Sequence, residues 1–153
     1  MKSTALVVGL GNALMADDGV GLEVARRLAA CPRGIGARVE VAGADSLVLP
    51  SLWRGEDRVW LVDALERGGE PGTLHILEHD ELLCLPQVHR GAHHLSLPEC
   101  LRWVGVAHPE MAEVRYTLWG VEPGVIEPSE GLSPEVEAAA AEVVELISTA
   151  LLA

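Results

Sequence analysis

The sequence predicts an α/β protein, a three-layer sandwich with a five-stranded, mostly parallel central sheet and helices on both faces. Three observations predict it. Short apolar runs at residues 5–10, 58–62 and 114–121 have the character of strands covered on both faces. Segments at 21–30, 98–106 and 134–151 carry apolar residues at helical spacing. The two kinds of segment alternate, apart from one pair of successive strands, as in a sheet built mainly from parallel crossovers. One domain over residues 1–153 accounts for the length.

Each element has its own signals. After the first strand, Leu22, Val24, Ala25, Leu28 and Ala29 mark one helix face, and Pro32 and Gly34 end the helix. Residues 38–42 alternate as a second strand. Asp45 or Ser46 is placed to cap a short helix reaching Leu52, which Pro50 interrupts. The third strand, 58–62, ends in Asp63. A glycine-rich loop at 66–72 leads to a fourth strand, 73–77. That loop is short for a crossover helix, so the third and fourth strands are expected to be antiparallel neighbours. Residues 78–91, interrupted by Pro86, receive no firm assignment. Pro98 suits the first turn of the next helix. The fifth strand, 114–121, runs into a loop rich in proline and glycine at 122–133. Ser133 is set to cap the last helix and Pro134 to begin it, with Val136, Ala140, Val143, Val144, Ile147 and Leu151 on one face.

Composition narrows the function. A net charge of -12 opposes binding to nucleic acid, whose phosphates it repels. No apolar run approaches the ~18 residues that span a bilayer. Met1-Lys2-Ser3 runs straight into the first strand without the pattern of a signal peptide. A cytoplasmic protein that does not insert into membranes is expected. Cys31, Cys84 and Cys100 lack C-x-x-C spacing and read as reduced core thiols, which argues against a cysteine-based zinc site.

The chemistry concentrates at residues 7–21, where a strand breaks at Gly9 and Gly11, carries Asp17 and Asp18, and enters a helix through Gly19 and Gly21. Gly9 and Gly11 match the start of G-x-G-x-x-G, but Leu14 replaces the third glycine. The two aspartates also stand where a pyrophosphate needs a positive helix end. One carboxylate ahead of a helix serves as a cap worth about 1 kcal/mol. Two exceed that need, so Asp17 is expected to support the helix entrance while Asp18 points into a site. Asp63 ends an apolar strand, at the edge where such sheets bind ligands, although a bond to the next turn is the alternative. His93 and His94 follow a link containing Gly91. Two carboxylates and an imidazole meeting at a strand-end crevice suit a divalent ion with open positions. Neither Ser46 nor Ser96 sits in a G-x-S-x-G elbow. A non-catalytic metal- or nucleotide-binding α/β module is the alternative.

Four segments together resemble the nickel–iron hydrogenase maturation endopeptidases. They are Gly9-Leu10-Gly11-Asn12 with Asp17-Asp18-Gly19-Val20-Gly21; Val62-Asp63-Ala64 with Pro71-Gly72-Thr73; His93-His94-Leu95-Ser96-Leu97; and Trp119-Gly120-Val121-Glu122-Pro123 with Ile126-Glu127-Pro128 and Gly131-Leu132-Ser133-Pro134. The resemblance implies an endopeptidase that removes the C-terminal extension of the hydrogenase large-subunit precursor after nickel insertion. It implies nickel supplied by that precursor and bound by Asp18, Asp63 and His93, with His94 as a second nearby imidazole. Asp17 is then available for proton transfer, and the enzyme is expected to act as a monomer on a transient partner.

Overall fold

The computed structural model describes residues 4–31, 35–86 and 96–152. Its strands are β1 (Ala5–Leu10), β2 (Arg38–Gly43), β3 (Arg58–Ala64), β4 (Leu74–Leu77) and β5 (Arg115–Val121). Its helices are α1 (Val20–Ala29), α2 (Leu49–Leu52), α3 (His79–Leu83), α4 (Leu97–Ala107) and α5 (Pro134–Leu152). The sheet order is β2-β1-β3-β5-β4, with β4 alone antiparallel.

Alternation along the strands creates two cores. Leu6, Val8 and Leu10 of β1 join Leu61 and Leu118 against Leu49 of α2, Leu82 of α3 and Leu101 and Val104 of α4. Val7, Val62, Trp119 and Val121 point to the other face, against Val20, Val24 and Leu28 of α1 and Val136, Ala140, Val143 and Ile147 of α5. Helices therefore cover both faces, and the strands read as continuous apolar runs because each side has a core to meet. Cys100 is buried in α4, whereas Cys84 is exposed rather than part of a core. Among the described residues, no helix is long and apolar enough to cross a membrane.

The expected pairing of the third and fourth strands is corrected. β5 lies between them, and β4 pairs with β5, Leu74 opposite Val121 and Leu77 opposite Leu118. The connection after β3 needs to cross only two strand spacings, roughly 10 Å, which its loop spans without a helix. β5, almost wholly buried, takes the interior position, and short, half-exposed β4 takes the edge. The unassigned stretch after β4 contains α3, started by a capping box between Glu78 and Glu81.

Glycine sets how closely α1 sits on the sheet. A Cβ on Gly21 would lie 2.1 Å from the Val62 carbonyl oxygen and 2.3 Å from that of Leu10. The start of α1 thus rests on the ends of β1 and β3 through backbone alone. Gly21→Ala is expected to lower unfolding free energy by about 3 kcal/mol or more, because the obstructing atoms are backbone. Gly105→Ala, in α4 with nothing within 4 Å of the added methyl, is expected to raise it by about 0.5–1 kcal/mol. Urea denaturation of both variants measures the contrast.

Candidate active site

The chain leaves β1 toward β2 but leaves β3 toward β5, so the connections diverge above the carboxyl ends of β1 and β3. Sheets of this type bind ligands at such a switch point. Here the β1 end turns sharply. Gly11, at φ 134°, donates its N–H to the Gly43 carbonyl at 2.9 Å, and the Asn12 N–H donates to the Asp18 carbonyl at 3.1 Å. The Asn12 side-chain oxygen accepts from the Leu14 N–H at 3.0 Å. These bonds lead into a 3-10 turn, Ala16–Gly19, that carries both aspartates into α1. A Cβ on Gly11 would meet the Asp18 carbonyl oxygen at 2.1 Å, with Asp63 Oδ1 3.7 Å away. A bare backbone at Gly11 lets the two acid-bearing segments converge.

Asp63, near the end of β3, accepts the Ala64 N–H at 2.8 Å through Oδ1. Its partner there is the last residue of β3, and Asp63 also lines the cleft. Asp18 and Asp63 line a cleft of about 540 Å³ and share a smaller adjoining cavity of about 170 Å³. Among the described residues, no three His, Cys, Asp or Glu side chains come together to hold a metal ion. His93 and His94 lie outside the described residues. Pro86 and Ser96, which bracket residues 87–95, both line the cleft.

Asp17 faces the opposite way and is fully buried. Its Oδ2 accepts the Gly124 N–H at 2.9 Å, the Val125 N–H at 2.8 Å and the Ser133 hydroxyl at 2.7 Å, while Oδ1 accepts the Ser133 N–H at 2.7 Å. The expected support of the α1 entrance is therefore corrected. Gly19 stands at that N-cap with no side-chain bond, and Asp17 instead ties the 3-10 turn to the loop before α5. The reason is the supply of donors. The loop after β5 folds over the turn and offers N–H groups that have no strand or helix partner. Burial by itself would raise the pKa of Asp17, but the donors from Ser133, Val125 and Gly124 outweigh it and hold the carboxyl below the ordinary range. A carboxylate committed to four donors has a structural task here.

Two further groups support the cleft: Glu122, given no role from sequence, and Ser96, weighed there only as a nucleophile. Glu122, buried at the end of β5, accepts the N–H groups of Arg67 and Gly69, each at 2.9 Å, and contacts His75 Nε2 at 3.1 Å. It thereby secures the loop whose Leu65 and Glu66 form one wall of the cleft. Ser96 accepts the Glu99 N–H at 3.4 Å in a capping box that places Leu97 and Pro98 on another wall. The S-x-x-E spacing is legible as that signal. Glu122 had none, since its donors come from a loop distant in sequence.

The clamp at Asp17 has a definite pH signature. Its folded pKa lies below the unfolded value near 3.8, so its stabilisation is complete above that value and is lost as pH falls through the folded pKa. Asp17→Asn is expected to lose about 3 kcal/mol at neutral pH, from buried donors left without full partners. Its stability should also vary less than that of the wild type as pH falls below about 4, read by urea denaturation at a series of pH values.

Comparison with known proteins identifies the family. Residues 33–150 match the hydrogenase maturation protease family. The hydrogenase 2 maturation protease of Escherichia coli K12 is 31% identical, over 95% of this chain and 89% of its own length. The hydrogenase maturating endopeptidase HybD from E. coli superposes with a TM-score of 0.78 at 28% identity, covering 97% of this chain and 91% of that one. The NiFe hydrogenase maturation protease HycI from Thermococcus kodakarensis KOD1 shares the fold, with a TM-score of 0.79 at 24% identity over 99% of this chain and 94% of that one. These likenesses favour an enzyme over a non-catalytic binding module. With its strand-end cleft and paired acids, the chain belongs to the hydrogenase maturation protease family, a family of endopeptidases.

Proposed function

We propose that this endopeptidase removes the C-terminal extension of a nickel–iron hydrogenase large-subunit precursor after nickel insertion, and that it recognises the nickel already bound there. The observation that carries the reading is the convergence of Asp18 and Asp63, from separate strand ends, on one open cleft. The metal arrives as part of the substrate. Carboxylate oxygens and an imidazole suit a divalent transition metal that keeps some of its own ligands. Asp18 and Asp63 are assigned as two of its contacts and His93 as the third. The position of Pro86 and Ser96 on the cleft rim supports the last, because both chain ends flanking residues 87–95 start from the site. In such a complex the metal supplies Lewis-acid polarisation. The chain's own contribution is to orient the precursor tail across the cleft. Asp17 is assigned to holding the wall at Pro123 and Ile126 rather than to proton transfer. On the family resemblance, the enzyme acts in the cytoplasm as a monomer meeting its partner transiently.

Purified protein is expected to shorten nickel-loaded precursor and leave nickel-free precursor intact, as read by mass spectrometry. Equal cleavage of both would overturn nickel recognition. Asp18→Ala and Asp63→Ala are each expected to abolish processing with an unchanged far-UV circular dichroism spectrum. His93→Ala should do the same, whereas His94→Ala should retain activity; the reverse result would exchange the two imidazoles.

A further inference from the structure

A separate groove lies along two of the elements that frame the cleft. The turn Ser46–Val48 with α2 and the helix α4 both run from the carboxyl edge of the sheet toward its amino edge, side by side on one face. Ser46 and Leu97 line the small cavity that holds Asp18 and Asp63. Further along the same two rails, Leu47 and Pro50 on one and Trp103, Val104, Ala107 and His108 on the other line a mostly apolar groove of about 320 Å³. Val104 is its buried floor, while Trp103 is 59% exposed and Leu47 is 47% exposed. No carboxylate lines the groove, although the chain carries a net charge of -12. A large exposed indole beside a trough whose other lining is aliphatic, apart from the His108 imidazole, is the composition of a binding anchor rather than of a solvated surface.

An endopeptidase grips its substrate on both sides of the bond it cuts, so the cleft must open onto further surface. We propose that this groove is that surface and takes an apolar segment of the substrate polypeptide, on one side of the scissile bond. The inference rests on the cleft being the active site. Trp103 lies six residues beyond Leu97, roughly 9 Å along the helix. An extended peptide advances about 3.3 Å per residue, so the segment seated there begins about three residues from the scissile bond.

The test is steady-state processing of nickel-loaded precursor by Trp103→Asp and Leu47→Asp. Both positions are exposed, so thermal unfolding should match the wild type. Each variant is expected to raise KM about tenfold with kcat within about twofold, because a docking contact is lost and the chemistry is not. A photo-cross-linking residue at position 47 should label the precursor within a few residues of the scissile bond. Wild-type kinetics in both aspartate variants, or a label elsewhere on the precursor, would overturn the groove and leave the cleft reading standing. Precursor uncut by the wild type would overturn both. A wild-type dimer in sedimentation that Trp103→Asp disperses, with KM unchanged, would assign the groove to a second copy of the chain and also overturn the proposal.

Discussion

The site depends on one close approach of backbone to backbone. α1 begins directly on the Leu10 carbonyl that ends β1 and the Val62 carbonyl near the end of β3, at a distance that admits no side chain on Gly21. Gly9 repeats the constraint lower down, where a Cβ would lie 2.6 Å from that of Ala25. Because the helix start is pressed onto two adjacent strand ends, the acid that precedes it is brought to the acid that ends β3. With larger residues at these positions the helix would stand off the sheet, and Asp18 and Asp63 would not share a cleft.

Consecutive acids then divide into opposite roles. Asp18 faces the cleft, while Asp17 is buried among donors from the loop before α5. Burying a carboxylate is costly unless its acceptor sites are filled, and here four donors fill them. Glu122 follows the same logic on the other side, gathering N–H groups from residues 67 and 69. Two buried acids outside the cleft hold two of its walls, while the acids inside it are presented by the 3-10 turn before α1 and by the end of β3.

The elements were largely legible because their signals are local. All five strands and the α1, α4 and α5 helices fall within a residue or two of the periodic runs, and Ser133-Pro134 marks the start of α5. The acid pair and the strand-end Asp63 stood out for their position. Missed were α3, whose five residues are too few for a helical period, and Glu122, which looks like any acid after a strand.

By itself the sequence determined the layered α/β class, the strands and helices, and the likeness of four segments to one family. Periodicity, glycine placement and short motifs are properties of neighbours along the chain. Only tertiary structure decided that β5 separates β3 from β4, because strand order follows from which surfaces bury best together. Only it decided that Asp17 belongs to the α5 loop, since its partners lie more than a hundred residues away. Hydrogen bonds over such separations leave no periodic trace, and they are what turns two acidic residues into one wall support and one member of a site.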